Sequence, residues 1–242
     1  EKRGAAVYAL PDNSPEAYTL SCLDNVDAIA CRGPLTPDHI IRTKQVPLIV
    51  GDNDNGNPDP VEDYAAAYQA YFDRNASAQQ TCLDHAPRWA VWKNQGLIAF
   101  GATLKEAAAI ADISRHTIKA IQWAEQIGGW QALPEKDLFE VEYWELEQAK
   151  LNKSRAGAEF QGKIALVTGA ASGIGKACVE ALVEKGAAVA ALDIDPAING
   201  MFGRDQVLEL GCDVTSDADL NHSVLATVRQ FGGLDIVVSN AG

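Results

Sequence analysis

A glycine-rich turn between an apolar run and a helical pattern constrains this chain more than any other feature. The turn begins at Thr168 and reads TGAASGIG. Gly169 allows a tight turn off a strand, Gly173 lets the backbone approach a pyrophosphate, and Gly175 lets the following helix pack close to a sheet. The free N–H groups at the start of that helix favour a phosphate. The spacing therefore predicts a phosphate-binding turn.

Strand and helix patterns alternate through the last third of the chain. The predicted strands are Ile164–Thr168, Ala187–Leu192, Val207–Cys212 and Ile236–Ser239, and the predicted helices are Gly173–Lys185 and Ser216–Phe231. The second of these strands is apolar throughout, which is typical of a strand covered on both faces. Such alternation implies a parallel sheet with right-handed crossovers. We predict an α/β fold whose C-terminal part is a truncated Rossmann-type sheet that binds a dinucleotide.

An acidic residue ends the second predicted strand. Asp193 lies 18 residues after Gly175, and the dinucleotide fingerprint expects, about 20 residues on, an acid that binds the adenosine ribose. A carboxylate there also repels a 2′-phosphate, and no Arg or Lys follows before Arg204. The pattern predicts NAD rather than NADP. Two alternatives stay open: Asp193 only caps a loop, or Asp195 has the ribose role.

These motifs resemble the short-chain dehydrogenase/reductase family over residues 160–242. The resemblance rests on the glycine turn, Asp193, Cys212–Val214 and Asn240–Gly242. One departure is Ser239, which stands where many members have a second Asn. The resemblance covers the nucleotide-binding half of such a domain.

The resemblance implies roles for individual residues. Asp213 and the main chain of Val214 are expected to contact the adenine ring, and Asn240–Gly242 to support the cofactor site. The full set of implied cofactor-binding residues is Gly169, Ser172, Gly173, Ile174, Gly175, Asp193, Asp213, Val214, Asn240, Ala241 and Gly242.

The family's catalytic Ser and its Tyr-x-x-x-Lys pair lie downstream of the motif that ends at Gly242. All six tyrosines of this chain lie at or before Tyr143. We therefore expect no catalytic residue in the chain and negligible hydride transfer by it. The start at Glu1 likewise suggests a fragment of a longer protein.

We also expect Ile236–Ser239 to form a bare apolar sheet edge, which lowers stability.

Residues 1–149 read as a mixed α/β region, and the polar stretch 150–162 as a linker. Apolar runs predict strands at Asp27–Ala30, Pro47–Val50, Trp89–Trp92 and Leu97–Phe100. Periodicity predicts helices at Val61–Phe72 and from Thr103 to Ile127, the second with a Thr103/Glu106 capping box, while Asp52–Pro60 reads as a loop. All five tryptophans lie between Trp89 and Trp144, which favours a packed core or an interface over an aromatic binding pocket.

Two sequence segments of this region lie upstream of the dehydrogenase motifs, namely Arg32–Lys44 and Phe139–Leu151. Together they resemble bifunctional proteins that fuse a class II aldolase region to a short-chain dehydrogenase, of the rhamnulose-1-phosphate aldolase/alcohol dehydrogenase type. The resemblance implies cleavage of a sugar phosphate to a small aldehyde, as in rhamnose catabolism, and action of the dehydrogenase on that aldehyde or its alcohol.

Class II aldolase chemistry implies a divalent metal, usually zinc, on clustered histidines. This chain has four histidines and no His-x-His pair, and Gln95 stands in the Asn94–Gly96 stretch where an aldolase might show His. We predict no metal site here and zinc, if any, only upstream. Asp38 and His39 could form an acid/base pair, or touch a phosphate together with Arg32, Arg42 and Lys44. We favour a simple helix start after Pro37.

The composition of the chain limits the kinds of partner that the protein is expected to bind. The net charge of −13 disfavours nucleic acid, and no apolar run approaches the roughly 20 residues that span a bilayer. The five cysteines form no CxxC pair, which favours a reducing compartment, so we expect a cytoplasmic protein. We expect the longer parent to be a homo-oligomer whose partners are a dinucleotide and a small substrate. Alternatives are a sorbitol-type polyol dehydrogenase with a degenerate aldolase-like module, or a non-catalytic assembly module at residues 1–149.

Overall fold

The structure is a computed structural model that describes residues 3–51, 59–152 and 158–242. It is α/β, as predicted, and it forms two compact units. The first unit comprises Glu1–Gly4, Pro11–Phe100 and Ala108–Arg155, and the second comprises Ala5–Leu10, Gly101–Ala107 and Ala156–Gly242. None of the described helices is both long enough and apolar enough to cross a membrane.

Strands and helices of the region before residue 153 form one mixed sheet with flanking helices. In chain order they are β1 Tyr8–Asp12, α1 Pro15–Ser21, α2 Val26–Ala30, α3 Ile40–Thr43, β2 Leu48–Val50, α4 Pro60–Asn75, β3 Trp89–Trp92, β4 Gly96–Gly101, α5 Leu104–Ile127, α6 Glu135–Glu142 and α7 Glu145–Asn152. The strand order is β1-β4-β3-β2. Strand β3 is parallel to β2 and antiparallel to β4.

Most sequence predictions for this region are confirmed. The predicted strands Trp89–Trp92 and Leu97–Phe100 are present as β3 and β4, and the hairpin between them turns at Asn94 and Gly96, whose φ angles are 61° and 125°. The capping box of α5 is present, because the N–H of Glu106 donates to Thr103 Oγ1 at 3.1 Å. The helix ends at Ile127 before two glycines with positive φ.

Three predictions for this region differ from the structure. Asp27–Ala30 is not a strand: Val26, Ile29 and Ala30 are buried along one face of α2, at the spacing of a helix turn. Of the two interpretations of the tryptophans, a packed core is wrong for Trp92, Trp123 and Trp144, which are about half exposed, while an interface stays a prediction. The predicted linker 150–162 begins inside α7, and its residues 153–157 lie outside the described ones, as do residues 52–58 of the predicted loop.

The second unit contains the parallel sheet that the glycine turn predicted. Its elements after residue 158 are β5 Ile164–Thr168, α8 Gly173–Glu184, β6 Ala188–Asp193, a short 3-10 helix Pro196–Ile198, β7 Val207–Gly211, α9 Asp217–Phe231 and β8 Ile236–Val238. The strand order is β7-β6-β5-β8 and every pair is parallel. Strands β5 and β6 are almost wholly buried, as expected of strands covered on both faces.

The strand order of this sheet indicates where a ligand crevice is expected. The chain runs from β5 to β6 and β7 on one side, and returns through α9 to β8 on the other side of β5. The strand order therefore reverses between β5 and β8, and ligands of open α/β sheets bind beyond the carboxyl ends of the strands at such a point. Strand β8 ends the strand order, and Val237 is 62% exposed.

Candidate functional site

The glycine turn leaves β5 at its carboxyl end and starts α8. Gly169 and Gly173 have φ angles of 66° and 53°, conformations that favour glycine. A Cβ on Gly173 would meet nothing within 4 Å, and Ile174 beside it is 75% exposed. The N-cap residue Ser172 makes no capping hydrogen bond through its side chain within the described structure. The first N–H groups of α8 therefore face open space, where the positive end of the helix dipole favours an anion.

Close packing requires glycine at positions 175 and 169. A Cβ on Gly175 would lie 2.0 Å from the carbonyl oxygen of Gly169 and 2.6 Å from Asn240 Nδ2. A Cβ on Gly169 would lie 2.7 Å from the same Asn240 nitrogen. All three distances are shorter than normal non-bonded contacts of a carbon atom, so α8 can approach the sheet this closely only with glycine at these positions. This agrees with the sequence interpretation of Gly175.

Asp193 connects the end of β6 to the glycine turn. Its Oδ2 accepts a hydrogen bond from the Ala171 N–H at 2.8 Å, and its Oδ1 accepts one from the Asp195 N–H at 2.9 Å. The carboxylate is half-buried at the crevice. Since each carboxylate oxygen has a second acceptor position, Asp193 can hold the turn and still accept from a ligand hydroxyl. Asp195 instead caps the 3-10 helix by accepting from Ala197 N–H at 2.9 Å.

Asn240 closes the opposite side of the crevice, after β8. Its Nδ2 donates to the carbonyl oxygens of Thr168 and Gly169, at 3.0 and 3.2 Å. Thr168 Oγ1 in turn accepts from the backbone N–H groups of Asn240 and Ala241, at 3.0 and 3.1 Å. These four hydrogen bonds fix the ends of β5 and β8 to each other.

Asp213 begins the loop after β7. Its Oδ1 accepts from the hydroxyl of Thr215 at 2.7 Å and from the Thr215 N–H at 2.9 Å. These hydrogen bonds hold the pKa of Asp213 below its ordinary value, so the side chain stays ionised. Val214 beside it is 38% exposed.

The predicted site residues thus lie at the carboxyl ends of four neighbouring strands. Sequence reasoning missed Thr168 as a positioning residue and Glu209 as the acceptor for the loop after β6. Glu209 accepts from the backbone N–H groups of Phe202 at 2.6 Å and of Gly200 and Gly203. The Thr at the head of the glycine motif is a signal that could have identified the first. No sequence pattern marks Glu209, because its partners lie in an irregular loop.

Arg32 and Lys44, two of the basic residues near His39, have partners of their own. The guanidinium of Arg32 binds Glu125 at 2.5 Å and the Trp130 carbonyl at 3.0 Å, while the amine of Lys44 donates to the Asp84 carbonyl oxygen. Residues 37–39 form a 3-10 helix after Thr36, which fits the favoured helix start, and the phosphate-binding alternative stays a prediction. Within the described ranges, no three His, Cys, Asp or Glu side chains are grouped as metal ligands would be.

Comparison with known proteins matches both halves of the chain to families. The family model of the second domain of class II aldolases matches residues 2–151. The model of the short-chain dehydrogenases matches residues 163–242. The two matched ranges leave out residues 152–162, which lie within the stretch that separates the two sequence patterns.

Three relatives with curated names show the extent of the similarity. An uncharacterized oxidoreductase of Bacillus subtilis, YuxG, is 32% identical over 236 residues, which are 89% of this chain and 34% of that protein. The bovine L-fucose dehydrogenase is 42% identical over 88 residues, 36% of this chain and 33% of that protein. The human 15-hydroxyprostaglandin dehydrogenase [NAD(+)] is 44% identical over 89 residues, 34% of each.

The chain spans about a third of the length of these relatives. The match to the aldolase model covers more than half of the chain, and the dehydrogenase model covers the sheet that carries the glycine turn, Asp193 and Asn240. The chain therefore belongs to the proteins with the second domain of a class II aldolase, joined here to a short-chain dehydrogenase domain.

Proposed function

We propose that the dehydrogenase domain of this chain binds NAD, and that the longer protein is an NAD-dependent oxidoreductase joined to an aldolase region. The observation that carries the proposal is the open start of α8. The Ser172 side chain does not cap its N–H groups. Gly173 has open space where a Cβ would lie, and Ile174 is exposed. A pyrophosphate supplies the negative charge and the acceptor oxygens that such a helix end lacks.

The remaining contacts follow from the same crevice. Asp193 would accept hydrogen bonds from the ribose hydroxyls of the adenosine and repel a 2′-phosphate. Asp213 and the Val214 main chain would contact the adenine ring. Asn240, Ala241 and Gly242 would support the turn from the β8 side. The bound nicotinamide supplies the hydride chemistry, and these residues bind and orient the cofactor.

A small aldehyde or alcohol from sugar-phosphate breakdown is our proposal for the substrate of the longer protein. It rests on the pairing of an aldolase domain with a dehydrogenase domain in one chain, because an aldolase releases an aldehyde that a dehydrogenase can consume. Similarity to a protein named L-fucose dehydrogenase favours a second candidate, a sugar or polyol as substrate. We expect the 242-residue chain itself to bind NAD with negligible hydride transfer.

Titration calorimetry of the purified 242-residue chain with NAD and NADP tests the cofactor proposal. We expect saturable binding of NAD and at least tenfold weaker binding of NADP. A sample that is folded by circular dichroism and binds neither dinucleotide would overturn the proposal. Preference for NADP would overturn only the role given to Asp193.

A further inference from the structure

Lys44 combines burial with a strained backbone. It follows α3 with φ 59° and ψ −177°, in a region of backbone conformation that is essentially restricted to glycine. Its side chain is buried, with the residue 2% exposed. Lysine is almost never buried without a specific partner, and such strain persists only where the surroundings impose it and clusters at functional sites. Two independent features therefore single out this residue.

The amine of Lys44 lies in a buried cluster of proton-carrying side chains. Nζ lies 3.3 Å from the centroid of the Tyr68 ring and donates to the Asp84 carbonyl oxygen. The Tyr68 hydroxyl donates to Glu142 Oε1 at 2.8 Å and lies 2.9 Å from the Tyr143 hydroxyl. Glu142 is 0% exposed, and it interacts with the Tyr71 hydroxyl as well as with that of Tyr68. An amine, three phenols and a carboxyl thus share one enclosed site.

Burial changes the protonation of both ends of this cluster. Burial, and then the nearby charge of Arg88, lower the pKa of Lys44 to about 7. Burial raises the pKa of Glu142 above its ordinary value. A substantial fraction of the amine is therefore unprotonated at neutral pH, while the carboxyl retains a proton more readily than an exposed one. Desolvation and a neighbouring cation are the two means by which lysine becomes a nucleophile.

A cavity lies against the same cluster. It has a volume of about 150 Å³, and Tyr64, Tyr68 and Tyr71 form its walls together with Gln45, the residue after Lys44. A cavity of about that volume can bind a molecule the size of benzene, so a molecule of two or three carbons fits. The Tyr68 ring belongs both to the cavity wall and to the surroundings of the amine. Lys44 itself is not among the lining residues, so a ligand in the cavity would reach Nζ only if the Tyr68 ring moved aside.

We propose that Lys44 is the nucleophile of a second site, in the first unit, which captures a small aldehyde as an imine. The unprotonated amine attacks the carbonyl carbon, a C–N bond forms, and the oxygen takes a proton from the Glu142 carboxyl. The nitrogen returns one proton to the Glu142 carboxylate, and Glu142 passes it to the new hydroxyl. The C–O bond then breaks, water leaves, and the nitrogen gives its second proton back to Glu142. Aldehyde and amine thus yield imine and water, with no oxidant and no net change in protons. Hydrolysis returns both.

Reductive trapping on the intact 242-residue chain tests this site without any substitution. The chain is incubated with glycolaldehyde and cyanoborohydride between pH 6 and pH 9, and labelled lysines are quantified by peptide mass spectrometry. We expect Lys44 to label faster than the exposed Lys119 at pH 7, and its rate to level off above about pH 8. Labelling of ordinary amines, with pKa values near 10.4, rises about tenfold per pH unit over the same range.

Either of two results would overturn the proposal. One is that Lys44 is labelled no faster than Lys119 at pH 7. The other is that Lys44 is labelled only after urea has unfolded the chain. In a Glu142→Gln variant, which keeps the size of the side chain but holds no transferable carboxyl proton, we expect the Lys44 rate to fall at least tenfold. A Lys119→Arg variant is the matched control and should leave Lys44 labelling unchanged. None of these readouts depends on NAD binding.

Discussion

The Oδ2 atom of Asp193 accepts a hydrogen bond from the backbone N–H of Ala171, at 2.8 Å. The residue that we propose to recognise the ribose therefore also fixes the turn that we propose to bind the pyrophosphate. Under this proposal, recognition of the two parts of a dinucleotide would be coupled through one carboxylate. A change at Asp193 is thus expected to affect affinity for either dinucleotide, and selectivity between the two.

Replacing Asp193 with Asn tests this coupling. The amide retains one acceptor oxygen but removes the charge that repels a 2′-phosphate. We expect NAD to bind about tenfold more weakly, a loss of about 1.4 kcal/mol, and the ratio of the NADP to the NAD dissociation constant to fall. Titration calorimetry with both dinucleotides measures the two effects.

An Asp195→Asn variant is the matched control, because Asp195 is exposed and caps only the 3-10 helix. We expect its NAD/NADP ratio to equal that of the unmodified chain. If Asp195→Asn changed the ratio and Asp193→Asn did not, the ribose role would belong to Asp195.

Replacing Gly175 with Ala should weaken both the fold and the cofactor site. The added Cβ would lie 2.0 Å from the Gly169 carbonyl oxygen, so α8 must move away from the sheet. We expect a loss of about 2 kcal/mol or more in the stability of the second unit, together with loss of saturable NAD binding. Gly211→Ala is the control, since a Cβ there meets nothing within 4 Å. Equal melting temperatures for the two variants would contradict the close packing.

Sequence reasoning predicted the second unit well for a physical reason. Strands β5 and β6 are buried on both faces and α8 begins at a glycine turn, so hydrophobic pattern and turn chemistry agree at each boundary. In the first unit, α2 has only five residues, and an apolar run of that length fits a helix and a strand equally well. Tertiary packing decided that case.

Local sequence patterns could not predict the cluster of Lys44, Tyr68 and Glu142. The three residues come from segments that are far apart in sequence, and none of them belongs to a recognisable motif. Sequence reasoning grouped Lys44 with Arg32 as possible phosphate contacts. Only the fold of α3, α4 and α6 reveals that the lysine is buried beside a carboxyl group.

A Thr168→Val substitution tests the connection between β5 and β8. Valine keeps the size of the side chain but removes the oxygen that accepts from the N–H groups of Asn240 and Ala241. Two half-buried donors lose their acceptor, so we expect a loss of about 1–3 kcal/mol in urea unfolding of the second unit. Thr227→Val is the control, because the Thr227 hydroxyl donates only to a carbonyl within α9. A Thr168 variant as stable as the control would show that the hydroxyl is dispensable.

We expect titration of Lys44 to change the stability of the first unit with pH. The pKa of Lys44 is about 7 in the folded chain, below the ordinary 10.5, so the unfolded chain binds more protons between these values. Stability contributed through this residue therefore rises with pH across that window. Between pH 7 and pH 9 we expect a rise of about 2 kcal/mol, since each pH unit is worth at most about 1.4 kcal/mol per proton.

Urea unfolding of a Lys44→Met variant isolates this contribution. Methionine fills the volume of the lysine chain without a titrating group, so the rise with pH between 7 and 9 should disappear, whereas Lys119→Met should keep it. Glu142 titrates in the opposite sense, because its raised pKa makes stability fall as pH rises above the ordinary carboxyl range, and Glu142→Gln removes that component. An unchanged pH profile in Lys44→Met would mean that the buried amine stays protonated throughout, and it would remove the chemical basis for imine formation at this site.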